Sequence, residues 1–217
     1  MGKITILSDT HETHNNINCK GGEGDILIHC GDITMNGGYG ATMDFLGWFD
    51  KQPHEHKIFI AGNHDWDFET KPEWLENTLK TLELSNIFYL ENSSVTIEGT
   101  KFWGSPVTPR FFDWAFNKDK GNTIKQTWDL IPQDTDVLIT HGPPFGRLDQ
   151  NKVGTRCGCE ELSIVIETIK PKIHCFGHIH QDQPLTSYNG HTTFINASVL
   201  NESYALVSEP ITIEKWW

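Results

Sequence analysis

The chain has 217 residues, a hydrophobic fraction of 37% and a formal net charge of −12. Its length suits one domain with a large core, so we predict a single domain over residues 1–217. The mean hydropathy of −0.42 and the lack of any long apolar run argue against a membrane helix. The acidic surface also disfavours a stable nucleic-acid partner.

Apolar runs and helical periodicities alternate along the chain. The apolar runs predict strands at 3–7, 26–30, 57–61, 87–90, 95–97, 101–104, 137–140, 172–176, 192–196 and 211–214. Apolar residues at helical spacing predict helices at 41–50, from Pro72 onward, at 123–130 and at 160–169. Four stretches without periodicity are predicted loops, at 14–24, 35–40, 105–121 and 145–155.

The cysteines and the first residues bear on location. The opening MGKITILSDT enters a strand and lacks the charged region and cleavage site of a signal peptide. Five cysteines, an odd number, argue against a disulfide framework. We therefore predict a cytoplasmic protein with reduced thiols. Cys157 and Cys159 are interpreted as part of a turn, because no second cysteine pair completes a zinc site.

Polar residues of ligand type follow five of the predicted strands. Asp32 directly follows the second strand, where a carboxylate is costly unless something pairs with it. No Lys or Arg lies in the next dozen residues, so a metal ion is the obvious partner. The other residues of this kind are Asp9, His11, Asn63, His64, Asp65, His141, His178 and His180. Because α/β folds place their ligands at the carboxyl ends of strands, this pattern predicts a metal site there.

Several nearby residues have two interpretations. His29 lies within a strand, which favours a hydrogen-bonded core histidine. Asp65 either orients an imidazole or is an exposed loop acid, and Trp66 either stacks on a substrate base or packs its own loop. Each of the three arginines lies in a loop and is either a phosphate contact or an ordinary surface residue.

The motifs D-x-H, G-D, G-N-H-D, T-H-G and G-H-x-H occur in this order, each after a predicted strand. The set resembles the calcineurin-like metallophosphoesterase superfamily. The segments GDILIHCGDIT, IAGNHDWDFE, ITHGPPFGRLD, GCEEL and FINAS are similar to the metallophosphoesterase-domain-containing (MPPED) family. Composition and pattern alone support an α/β or α+β core. The resemblance implies a four-layer αββα sandwich with two central mixed β-sheets.

The resemblance also implies a site for two metal ions. One ion would be held by Asp9, His11, Asp32 and His180, and the other by Asp32, Asn63, His141 and His178. Asp32 would then bridge both ions and count as a catalytic residue. Carboxylate, imidazole and amide ligands favour Mn, Fe or Zn, and two such ions lower the pKa of a bridging water.

Two further histidine positions follow from the resemblance. His64 matches the residue that protonates the leaving oxygen and is not itself a ligand. Some MPPED members have Gly where this chain has His178. Here both histidines of G-H-I-H are present, so the ligand set is complete.

The function expected from the resemblance is hydrolysis of phosphodiesters, with cyclic nucleotides as one candidate class and a small phosphoester as the partner molecule. The residues expected to contact substrate are Asn63, His64, Trp66, Trp114 and Arg147. A phosphomonoesterase such as a protein phosphatase is an alternative, although Ile33 and Thr34 stand where those enzymes carry an arginine shortly after G-D. A non-catalytic scaffold is the other alternative, and the complete ligand set disfavours it.

Overall fold

The computed structural model describes residues 2–22, 25–180 and 185–214. Its strands are β1 (Lys3–Leu7), β2 (Ile26–His29), β3 (His56–Phe59), β4 (Ile87–Tyr89), β5 (Ser93–Ile97), β6 (Thr100–Ser105), β7 (Thr108–Pro109), β8 (Asn117–Lys118), β9 (Val137–Thr140), β10 (Ile173–Phe176), β11 (Leu185–Tyr188), β12 (Thr193–Asn196) and β13 (Ile211–Glu214). Its helices are α1 (Tyr39–Asp50), α2 (Trp66–Thr70), α3 (Pro72–Thr81), α4 (Asn122–Trp128) and α5 (Glu160–Ile169).

Most of the strands form two mixed sheets. The first sheet has the order β13-β1-β2-β3-β4, in which only β13 pairs antiparallel. The second has the order β11-β12-β10-β9-β6-β5, with β11 and β5 antiparallel at its edges. The central strands of each sheet are therefore parallel, so their carboxyl ends meet at one edge. A bridge between Ser8 and Ser198 joins the two sheets at that edge.

The apolar runs of the central strands are continuous because both faces of each sheet are covered. Ile4, Ile28 and Ile58 point from the first sheet into a core shared with Ile139 and Ile173 of the second. Successive residues point the opposite way, since side chains alternate along a strand. The two sheets therefore face each other across one apolar layer.

The outer faces of the sheets carry the helices. Phe45 and Phe49 of α1 pack with Phe59 on the outside of the first sheet. On the second sheet, Leu162 and Ile166 of α5 belong to a separate outer cluster. The order of layers is helix, sheet, sheet, helix, which confirms the four-layer sandwich with two mixed sheets. None of the helices in the described ranges is long and apolar enough to cross a membrane.

The structure differs from the predicted elements mainly in short segments. The predicted loop at 105–121 contains β7 and β8, which pair in parallel over two residues each. Strand β11, the short helix α2 and a 3-10 turn at His14–Asn16 were not predicted. These pieces are too short to show a periodicity, and tertiary contacts define them. His29 is a core histidine as expected, with Nε2 3.0 Å from the Thr10 hydroxyl.

Candidate metal centre

The loops that leave the first sheet are fixed to one another by backbone hydrogen bonds. The amide of Asp9 donates to the carbonyl of Gly31 at 2.9 Å, and the amide of His11 donates to that of Asp32 at 3.0 Å. In the second sheet the amide of Gly177 donates to the carbonyl of His141 at 2.9 Å. The polar residues at the strand ends are thus held at fixed positions by the backbone, before any side chain contributes.

Two glycines of the motifs are required by close approach. A methyl group on Gly62 would overlap the Oδ1 and backbone nitrogen of Asp32 and lie 2.7 Å from Cε1 of His141. A methyl group on Gly177 would overlap the Asp9 carboxylate. In both motifs the missing side chain lets a ligand from another loop reach the site. This is the physical reason for Gly before Asn63 and before His178.

Several predicted ligands have a backbone conformation that is uncommon for residues with a side chain. The φ angle is +56° at Asp9, +40° at His11, +55° at Asp32 and +68° at His178. Such conformations cost free energy and persist only where the surrounding structure enforces them, as at functional sites. The chain therefore bends sharply at the ends of its strands and presents these side chains at the edge.

One group of possible ligands contains Asp9, His11 and His180, whose ligand atoms all lie within 4.8 Å of one another. Nε2 of His180 is 3.4 Å from Oδ1 of Asp9. The amide of His178 also donates to both oxygens of Asp9 at 3.0 Å, which fixes the carboxylate plane. The first sheet supplies Asp9 and His11, and the second supplies His180.

A second group contains Asp32, His141 and His178, again within 4.8 Å. Nε2 of His141 lies 3.3 Å from Oδ2 of Asp32 and 3.0 Å from Oδ1 of Asn63. The same Oδ2 atom of Asp32 is 3.6 Å from Nε2 of His11. Asp32 therefore stands between the two groups. The structure brings all seven residues of the predicted ligand set together.

Three of the imidazoles are oriented by backbone carbonyls. Nδ1 of His141 donates to Cys30 at 2.9 Å, and Nδ1 of His11 donates to Thr34 at 3.2 Å. Nδ1 of His180 donates to the carbonyl of Asn201 at 3.1 Å. These bonds fix the tautomer and turn each Nε2 toward the acids, as is usual for metal-binding histidines.

The residues fit divalent ions. Nε2 of His11 is buried and has no hydrogen-bond partner among the described residues. An unpaired polar atom in such a place is costly, and an ion would satisfy it. Buried carboxylate, imidazole and amide groups are also the ligand types that bind Mn, Fe or Zn. These two observations support metal binding here.

Burial and neighbouring charges shift the pKa values of several groups in the cluster. Burial opposes ionisation of Asp9, but the hydrogen bond and charge of His180 lower its pKa to about 2. Burial disfavours the charged form of His141, but the Asp32 carboxylate outweighs this and raises its pKa to about 9. Burial lowers the pKa of His178 to about 3. The histidines, His141 foremost, also outweigh the effect of burial on Asp32 and lower its pKa, so both carboxylates are ionised at neutral pH.

His64 lies beside Asp32 at the wall of the site. Its amide donates to Oδ1 of Asp32 at 2.9 Å, and its Nδ1 donates to the carbonyl of Met35 at 2.6 Å. Its ring stacks on Trp114 with the ring centres 4.2 Å apart. Nε2 is therefore the nitrogen that remains to exchange a proton.

Asp65 is neither of the two things expected from the sequence. It is fully buried and accepts hydrogen bonds from the amides of Ile33, Thr34 and Gly62 and from the hydroxyl of Thr34. Burial, followed by the charge of Asp32, raises its pKa to about 6. Three of these bonds come from Ile33 and Thr34 in the loop that carries Asp32, and the fourth comes from Gly62 in its own loop. Asp65 therefore ties the two loops together and does not orient an imidazole.

The two groups open into a cavity of about 500 Å³. Its walls contain residues from the strand ends and the loops around them: Asp32, Asn63, His64, Pro109, Arg110, Phe111, Trp114, Lys120, Asn151, Cys157, His178, Ile179, His180, Glu202 and Tyr204. Asn63, His64 and Trp114, which were expected to contact substrate, are among them. Sequence reasoning missed Lys120 and Tyr204, which belong to no motif.

Trp66 and Arg147, also expected to contact substrate, are not part of the cavity wall. Trp66 begins α2 and packs against the outer core of the first sheet. The guanidinium of Arg147 lies over the Phe194 ring, 5.2 Å from its centre. Phe194 belongs to the outer cluster of the second sheet, which faces away from the layer between the sheets. Neither placement supports substrate contact.

Comparison with known proteins agrees with this geometry. Residues 2–182 match the family model described as Calcineurin-like phosphoesterase. The chain belongs to the calcineurin-like phosphoesterase family, and the family implies metal-dependent hydrolysis of phosphoesters.

Individual proteins similar to this chain are known from both sequence and structure comparisons. Metallophosphoesterase domain-containing protein 1 of Homo sapiens and that of Mus musculus are each 38% identical over 234 residues, covering 98% of this chain and 70% of the relative. The crystal structure of phosphopantetheinyl hydrolase from Mycobacterium tuberculosis has a TM-score of 0.62 at 13% identity, covering 94% of this chain and 91% of that one. At that identity the likeness shows a shared fold.

Proposed function

We propose that this protein hydrolyses phosphodiesters at a site for two divalent ions, with His64 as the general acid. The observation that carries the proposal is the position of His64. Its amide donates to the Asp32 carboxylate, and a ring nitrogen lies within 4.8 Å of a carboxylate oxygen of Asp32. The residue also lines a cavity large enough for a substrate with two organic arms. A scaffold protein would have no need for this arrangement.

The ligand groups have separate tasks. Asp9, His11 and His180 would hold one ion, while Asn63, His141 and His178 would hold the other. Asp32 stands between them and would contact both. When bound, such ions polarise the phosphoryl oxygens and lower the pKa of water. Asn63 contributes an amide oxygen, so the site gains a ligand without another negative charge to balance.

His64 is placed for proton transfer to the leaving group. Because Nδ1 already donates to the Met35 carbonyl, proton exchange occurs at Nε2. The stacking with Trp114 and the amide bond to Asp32 fix the ring orientation. As water attacks phosphorus, the imidazolium gives its Nε2 proton to the departing alkoxide, which otherwise leaves slowly.

The cavity favours a diester over a monoester. A monoester dianion carries one more negative charge than a diester and needs further cations. Two cationic side chains line the cavity: Arg110, which is paired with Asp119 at 2.6 Å, and Lys120, which shares the wall with the acid Glu202. The aromatic rings of Phe111, Trp114 and Tyr204 line the cavity as well, and they offer stacking surfaces for a nucleoside arm. We propose nucleotide diesters, cyclic ones included, as the substrate class.

The test is a hydrolysis screen of the full chain loaded with Mn²⁺. The substrates are cyclic nucleotides, the p-nitrophenyl ester of thymidine 5′-phosphate and p-nitrophenyl phosphate, compared by kcat/KM. Protein carrying Asp32→Asn, purified in parallel, controls for contaminating phosphatases. Diesters hydrolysed faster than the monoester support the proposal. A preference for the monoester would favour a phosphomonoesterase, and no hydrolysis of any substrate would favour a scaffold.

A further inference from the structure

A short turn at residues 201–205 lies against the Asp9 group of ligands. The carbonyl of Asn201 accepts the Nδ1 proton of His180 at 3.1 Å and the amide of Tyr204 at 2.8 Å. The side-chain oxygen of Asn201 accepts the amides of Ser203 and Ala205 at 3.0 and 3.1 Å. One residue therefore closes the turn and orients a predicted ligand.

Tyr204 is held at the tip of this turn in an unfavourable backbone conformation. Its φ angle is +57°, a region that an aromatic residue rarely adopts. Its ring lies edge-on to His11 and His180, with ring centres 4.9 and 5.4 Å away. A relaxed backbone at this position would move the ring, so the positive φ and the contact with the two imidazoles go together.

The contact is specific to one of the two ligand groups. Tyr204 touches both histidines of the Asp9 group. The other aromatic residues of the cavity make different contacts: Phe111 packs on His178 at 5.1 Å, and Trp114 stacks on His64. The turn at 201–205 thus acts on His180 from two directions, through a hydrogen bond and through a ring.

We propose that residues 201–205 form a retaining turn for the divalent cation of the Asp9 group, with Tyr204 as its positioning residue. The ring keeps the imidazoles of His11 and His180 in their binding orientation and shields that side of the group from water. Partners that orient a ligand typically contribute 10–100-fold to metal affinity. The inference rests on the ion site of the proposed function, but it does not depend on which reaction that site catalyses.

The strained backbone provides a clean variant. In Tyr204→Asn the ring is lost while the turn is kept, because Asn tolerates a positive φ. Phe112→Asn is the matched control, since Phe112 also has a positive φ, +49°, and is 85% exposed near the cavity. Its described ring contact is with Phe111, at 5.8 Å. Tyr204→Phe, which keeps the ring, is the conservative variant that should restore binding.

The measurement is Mn²⁺ binding to the metal-stripped full chain by isothermal titration calorimetry, together with the rate of ion loss to a chelator. We expect Tyr204→Asn to weaken one of two sites about tenfold and to speed its loss. Phe112→Asn and Tyr204→Phe should match the wild type. In a His178→Ala background, which impairs the other group, the remaining site should still respond to Tyr204→Asn.

Three results would overturn the inference: unchanged binding in Tyr204→Asn, an equal loss in Phe112→Asn, or an equal weakening of both sites. If Tyr204→Asn folds poorly by thermal unfolding, Tyr204→Gly removes the same ring and relaxes the backbone, and it should show the same selective loss. The binding test and the hydrolysis screen can fail independently, because the expected ion-binding pattern can hold in a protein that hydrolyses none of the substrates. A wild-type chain that binds no ion would contradict both proposals.

Discussion

Gly62 lies so close to Asp32 and His141 that the structure predicts how much stability a larger residue at this position would cost. In Gly62→Ala the new methyl group would overlap Asp32 and lie 2.7 Å from Cε1 of His141. Buried backbone atoms cannot move aside easily, so we expect a loss of about 1–3 kcal/mol, as for other overpacked sites. For a chain of this size that corresponds to a Tm about 2–12 °C lower. Because Asp32 stands between both ligand groups, ion affinity should fall as well.

Gly47→Ala is the matched control. Gly47 is exposed within α1, and nothing lies within 4 Å of the position of its added methyl. Replacing a helical Gly with Ala should raise stability by about 0.8–1.0 kcal/mol, or about 2–4 °C in Tm. Both variants are measured by thermal unfolding with chelator present, and then by Mn²⁺ titration. Wild-type Tm and wild-type ion affinity in Gly62→Ala would refute the close-approach argument.

Four further perturbations follow. Asp32→Asn should leave less than one tightly bound ion per chain by metal analysis, because it removes the charge that the two groups share; two retained ions with full activity would refute the assignment. His64→Ala should keep the ions but lower turnover about 10²–10⁴-fold, with a smaller loss for a nitrophenolate leaving group than for a ribose alkoxide; equal losses would mean that His64 only positions substrate. Asp65→Ala leaves several buried donors unpaired and should cost about 3 kcal/mol or more in urea unfolding, whereas an exposed acid would cost almost nothing. Burial lowers the pKa of His174 to about 3. As the pH drops from 6.5 toward 3, this histidine is protonated in the unfolded state but not in the folded state, so the free energy of unfolding decreases. His174→Phe should make that decrease shallower by about 1.4 kcal/mol per pH unit, and an unchanged slope would contradict the burial effect.

The sequence was most informative about which polar residues meet at the edge of the sheets, where each strand end supplies one candidate ligand. Asp32, His141 and His178 could be predicted because each follows an apolar run, and parallel strands carry such residues to a common edge. The four layers followed from the resemblance, since continuous apolar runs alone do not say how many sheets the strands form.

The residues that could not be predicted depend on contacts distant in sequence. Asp65 looks like an ordinary loop acid until three neighbouring amides point at its carboxylate. Arg147 follows a motif closely, yet its chain direction carries it onto Phe194. Tyr204 lies outside every motif, and only the turn that Asn201 closes brings it to the site. Loop paths of this kind leave no periodic pattern in the sequence.

The division of ligands between the sheets has a consequence for the lifetime of the protein. Asp9 and His11 come from one sheet and His180 from the other, so an ion held by that group, as proposed, would cross-link the two halves of the sandwich. Binding free energy then adds to folding free energy, by about 2.7 kcal/mol at a free ion concentration one hundred times Kd. Metal starvation would therefore lower the stability of the protein as well as its activity. It would loosen the joint between the sheets and expose the chain to proteolysis, so that the amount of protein follows the supply of its ion.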